Sequence, residues 1–101
     1  MATFISTVKL TGQGLKAVKD TTKRAAVIKT AMKKMGITHT ATYWTLGTYD
    51  GLLIFDAPDD ETATAFMLQL ASQGNIHTST VRAFSAGEMD KILGKMAGRG
   101  K

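Results

Sequence analysis

An α+β fold of ferredoxin-like βαββαβ order, with an extra C-terminal helix, is predicted from three features of the sequence. Apolar residues recur at helical spacing in residues 25–35 and again in residues 63–71. Threonine-rich and β-branched runs alternate with them at residues 3–10, 37–48, 52–56 and 75–84. Cap and turn residues punctuate the boundaries.

The first strand places Phe4, Val8 and Leu10 on one side and Ile5, Thr7 and Lys9 on the other. Thr11-Gly12-Gln13-Gly14 opens a short helix with Thr11 as its cap. Asp20-Thr21-Thr22 is a second start signal, so this region reads as two helical pieces or one bent helix. The longer piece carries Ala25, Ile28, Met32 and Met35 on one face and ends at Gly36. The next two strands form a hairpin about Asp50-Gly51, and the nearly all-apolar second arm suggests a central strand covered on both faces.

Pro58 and Asp59 begin the following helix, with Asp60 and Glu61 complementing its dipole and Ala63, Phe66, Met67, Leu70 and Ala71 facing the core as far as Gly74. After the fourth strand, Ser85-Ala86-Gly87-Glu88 is a capping box that leads into Met89, Ile92, Leu93 and Met96. Residues 1–97 read as a single domain and residues 98–101 as a short basic tail. The split βαβ arrangement implies strand order 4-1-3-2 with both long helices on one face. The other face carries Thr, His, Tyr and aliphatic residues rather than a charged coat, which predicts self-association.

Bulk properties narrow the function classes. A chain of 101 residues, 44% hydrophobic and 21% charged, is one ordinary globular domain. The absence of cysteine removes disulfides, thiol nucleophiles and cysteine-ligated metal sites. Met1-Ala2-Thr3-Phe4-Ile5-Ser6 has neither the basic nor the apolar region of a secretory signal. No apolar run approaches the ~20 residues needed to span a bilayer. The expectation is a soluble, cytoplasmic protein without a membrane partner. The net charge of +5 is concentrated at Lys16, Lys19, Lys23, Arg24, Lys29 and Lys33, read as the solvated side of a helix in preference to a basic face for an anionic partner.

The stretch Tyr43-Trp44-Thr45-Leu46-Gly47-Thr48-Tyr49-Asp50-Gly51 resembles the signature of the GYD-domain family. The resemblance continues through residues 57–65, Gly74-Asn75 and Thr80-Val81-Arg82-Ala83-Phe84, and covers nearly the whole chain. Thr21-Thr22 departs from it, standing where the family often has proline. The resemblance implies a dimeric α+β barrel, in which two ferredoxin-like sheets face each other across a two-fold axis. It implies little about function, because the family is largely uncharacterised and its wider fold hosts several enzyme classes and pure binders.

Candidate ligand-binding residues follow from residue type. Tyr49 and Asp50 read either as turn residues, Asp50 bonding turn amides, or as a polar lip over a pocket between sheet and helices, with Tyr43 or Trp44 as an aromatic wall. His39 and His77 are the only histidines and lie on opposite edge strands, as exposed residues or as a site shared across a dimer. Arg82 suits a carboxylate or phosphate ligand, or pairs structurally with Asp56, and Lys9 is a second anion contact. Asp59, Asp60 and Glu61 read as helix-start residues, and the methionines as core filler. No catalytic set, metal site or cofactor is singled out.

Four functions fit this reading. The preferred one is a small-molecule-binding or small-molecule-transforming homo-oligomer. The alternative is a non-catalytic homo-oligomeric accessory protein bound to a larger enzyme. RNA binding is disfavoured because Asp50-Gly51-Leu52-Leu53-Ile54-Phe55 lacks the stacking aromatics of an RNA-recognition strand. A regulatory amino-acid-binding domain is disfavoured because such modules usually hang from larger enzymes.

Overall fold

The computed structural model describes residues 1–97, so the expected basic tail at 98–101 lies outside the described residues. Four strands form one antiparallel sheet in the order β2-β3-β1-β4. They are β1 (Ala2–Leu10), β2 (Thr38–Trp44), β3 (Gly51–Ala57) and β4 (Ile76–Ala83). The helices are α1 (Gly12–Lys16), α2 (Thr21–Lys34), α3 (Asp60–Ser72) and α4 (Ala86–Gly94). The order matches the ferredoxin-like expectation. Of the two alternatives for residues 12–34, the two-piece reading holds: a 3-10 turn, Val18–Asp20, separates α1 from α2.

The local signals act where the sequence puts them. Asp59 caps α3 by accepting from the Thr62 amide at 2.6 Å, and Ser85 and Glu88 form the full capping box of α4. Gly36 and Gly74 follow α2 and α3 with positive φ of 74° and 82°, the left-handed conformation that ends a helix at low cost in glycine.

Strand register assigns every side chain to a face. Phe4 lies opposite Phe55 and Arg82, and Ser6 opposite Leu53 and Thr80. The even-numbered residues of β1 therefore share one face with Leu53, Phe55 and Ala57 of β3. That face carries the core: Phe4 and Phe55 stack with ring centroids 5.6 Å apart, beneath Met32 of α2 and Ala63, Phe66, Met67 and Leu70 of α3. The one buried polar side chain among the described residues, Ser6, accepts from the Thr80 hydroxyl at 3.0 Å, which offsets its desolvation.

Two expectations are corrected. β3 is covered on one face only within the chain, because Leu52, Ile54 and Asp56 point to the side opposite the core. The Asp50-Gly51 pair is not the hairpin turn: Gly51 opens β3, and the connection runs from Thr45 to Asp50 with its positive φ at Gly47, 126°.

Phe55 is fully buried, so Phe55→Ala removes the centre of this core and should cost about 3–5 kcal/mol. Urea denaturation at fixed protein concentration measures it.

Candidate functional site

A cleft of about 480 Å³ opens between the sheet and the α1–α2 segment. Its origin lies in side-chain size. At the Phe4–Phe55 end the space between sheet and helices is filled by large side chains, whereas here the facing positions include the small residues Gly14, Ala17, Ala25 and Gly51. Gly14 allows α1 to seat on the segment before β4, because a Cβ there would stand 2.1 Å from the Asn75 carbonyl oxygen. Thr11 fastens the same junction, its amide donating to the Asn75 carbonyl at 3.0 Å and its hydroxyl to the Gly74 carbonyl at 2.6 Å. Across the cleft, the Trp44 indole donates to the Thr21 hydroxyl at 2.9 Å and ties β2 to the start of α2. The threonine at the departure noted above is therefore an acceptor that a proline would not provide.

The cleft walls are mainly aliphatic, with Val8, Leu10, Val18, Ile28, Leu53 and Ile76 among them. Its charged side chains are Lys23, Arg24 and Asp50. Asp50 is tied to β1, its carboxylate accepting from the Leu10 amide at 2.8 Å and its own amide donating to the Val8 carbonyl at 2.8 Å. It braces the end of β1 and not the turn amides expected from sequence.

The candidate residues divide among four places. Tyr43, Trp44 and Asp50 border the cleft. Tyr49 does not join them as a lip. It lies with Lys9, Thr48 and His77 in a depression of about 360 Å³ on the opposite face of the sheet. His39 stands apart, half-buried, sharing a 2.6 Å hydrogen bond with Thr42. Burial, and then the nearby Lys29 charge, push its pKa below the ordinary 6.5.

Arg82 is engaged elsewhere. Its guanidinium donates to the Glu88 carboxylate at 3.3 Å and to the Thr3 and Ala83 carbonyls, and lies 4.5 Å from the centroid of Phe84. The Ser85 amide, and then Arg82, hold the Glu88 carboxyl below its usual range. An Arg82–Asp56 pair within one chain is ruled out by register parity, since Arg82 lies opposite Phe4 while Asp56 lies opposite Thr3 on the other face, where the Thr3 hydroxyl donates to it. His39 and His77 occupy opposite edges, as expected, and also opposite faces. Among the described residues no three His, Asp or Glu side chains converge as a metal site, and no helix is long and apolar enough to cross a membrane.

The profile of the GYD domain matches residues 4–93. This chain belongs to the GYD-domain family. A GYD-family chain of this kind is 30% identical over 90 residues to a Thermus thermophilus protein named glutamine synthetase and cystathionine beta-lyase binding protein, an alignment covering 88% of this chain and 95% of that one. No solved structure matches.

Lys23 and Arg24 were read from sequence as solvated, and their place at the cleft is visible only once α2 is docked. Two measurements test these placements. Asp50→Ala should cost about 1–2 kcal/mol through the freed Leu10 amide, read as a lowered melting temperature with the far-UV spectrum unchanged. Keeping His39 neutral favours the fold fully above pH 6.5, and that contribution is lost as pH falls through its depressed pKa. His39→Gln should therefore flatten the fall in melting temperature between pH 7.5 and pH 5, each pH being an approximate working limit.

Proposed function

We propose that this GYD-family protein is a homo-oligomeric accessory protein that docks on an enzyme, with the core-distal face of its sheet as the self-association surface. The supporting observation is a row of apolar side chains in register across all four strands. Ala41 lies opposite Ile54, Ile54 opposite Ile5, and Ile5 opposite Val81. Tyr43 and Leu52 extend the row on one side. Polar residues flank it, with Thr3, Asp56 and Thr38 toward one end and Lys9 and His77 toward the other.

An antiparallel sheet with a solvated outer face normally alternates to polar residues there. An aliphatic centre inside a polar rim is instead the pattern of a protein interface. The patch lies in the middle of the sheet's outer face, so two copies related by a two-fold axis can bury the same residues against each other. That arrangement is the face-to-face dimer that the family resemblance implies. The enzyme-binding half of the proposal is supported by the Thermus relative, whose name states that it binds two enzymes. A second reading, a small-molecule binder, is favoured by the apolar cleft on the other face.

Sedimentation of the purified protein at tens of micromolar should give a dimer or higher oligomer. Val81, already 56% exposed on an edge strand, can take a charge without loss of fold, so Val81→Glu should shift the species toward monomer. Purified glutamine synthetase and cystathionine beta-lyase from the same host are the first enzymes to test by surface plasmon resonance. A monomeric wild type would refute the self-association reading, and silence from both enzymes would withdraw the support drawn from the relative.

A further inference from the structure

We infer that the cleft between the sheet and the α1–α2 segment takes a small amphipathic anion, an apolar chain or ring bearing a carboxylate, with the acid group at Lys23 and Arg24. This inference rests on the small-molecule reading of the cleft and adds the ligand class.

The body of the ligand is specified by the walls. Val8, Leu10, Ile28, Leu53, Leu70 and Ile76 present aliphatic surface to an open volume of about 480 Å³, far larger than the ~10–15 Å³ that one water requires. Leaving such walls wetted costs roughly 25 cal/mol for each Å² that an apolar body would cover. Val18 and Val27 sit among the lining residues yet are 43% and 69% exposed, so the apolar surface runs out to the mouth. A ligand with an apolar body continues the core outward through that mouth.

The head group is specified by charge. Lys23 and Arg24 are consecutive in the first turns of α2 and both border the cleft. Neither has an acidic partner among the described residues, whereas Arg82 on β4 is paired with Glu88. The single carboxylate of the lining, Asp50, is occupied by the Leu10 amide at the far end of β1. A guanidinium and an ammonium beside an apolar cavity favour a carboxylate, which accepts charge-assisted hydrogen bonds from both. The Trp44–Thr21 hydrogen bond closes one wall, and it places the protein's one tryptophan where a bound ligand must alter its surroundings.

The test is a titration of the intact protein with octanoate, 1-octanol and octylammonium below their aggregation limits, followed by Trp44 emission and by calorimetry. Octanoate should bind saturably and shift the emission, with an affinity about tenfold above that of octanol, the margin that one charge-assisted contact supplies. The double substitution Lys23→Gln and Arg24→Gln should abolish that margin and leave octanol binding unchanged. Ala25→Phe, which fills the cleft from α2, should abolish binding of all three, with circular dichroism checking that the fold is kept. Equal affinity for octanoate and octanol, or tightest binding of octylammonium, would overturn the anion assignment while the cleft remained a ligand site. No saturable binding of any probe would overturn both.

Discussion

The pairing of β1 with β3, pinned by the stacked rings of Phe4 and Phe55, is the constraint to which the rest of the structure is referred. Side chains alternate along a strand, so one fixed pair of large rings on the helix-covered side decides the faces of β1, β3 and β4. A register shift between His39 and Ala41 resets the alternation in β2. A slip of one residue would bring Ile5 and Ile54 beneath α2 and α3 and turn Phe4 and Phe55 outward. The volume of the two rings against Met32 and Phe66 is what forbids it. Ser6, next along β1 on the same face, tolerates burial because Thr80 stands opposite to satisfy it.

The two faces then acquire different physical characters. On the helix side, large side chains fill the space at the Phe55 end, and small residues at the Gly51 end leave it open. One layer of packing therefore grades from dry core to ligand-sized cleft. On the outer side no core residue is contributed at all, yet the central positions are aliphatic. A monomer gains nothing from placing Ile5, Ile54 and Leu52 there, since exposed aliphatics promote association. The apolar outer row and the cleft lie on opposite sides of the same sheet, with Tyr43 and Leu52 bordering both.

Much of this was legible in the chain. Period-two and period-3.6 patterning located all four strands and the long helices, and the caps Asp59, Ser85 and Glu88 lie where their side-chain chemistry is needed. The site was less legible. Asp50 looked like a turn residue because Asp-Gly commonly is one, but its partner is the Leu10 amide, 40 residues away. Tyr49 and Asp50 are neighbours that serve opposite faces, a separation set by the path of the connection at residues 45–50 and by nothing in their types. Arg82 illustrates the intermediate case: its parity relative to Phe4 excludes Asp56, and Glu88 lies six residues ahead within a recognisable cap, so both clues were present once the register was known.

By itself, the sequence determined the element order, the buried faces of β1, α2 and α3 and the helix ends, because these depend on interactions within a few residues or on a repeating pattern. Tertiary structure alone decided the hydrogen bond of Trp44 to Thr21, the position of Lys23 and Arg24 at a cleft, and the alignment of Ala41, Ile54, Ile5 and Val81 into one row. Each of those joins segments far apart in the chain, and their meeting is set by the register of the strands and the docking of α1 and α2, which no local pattern encodes.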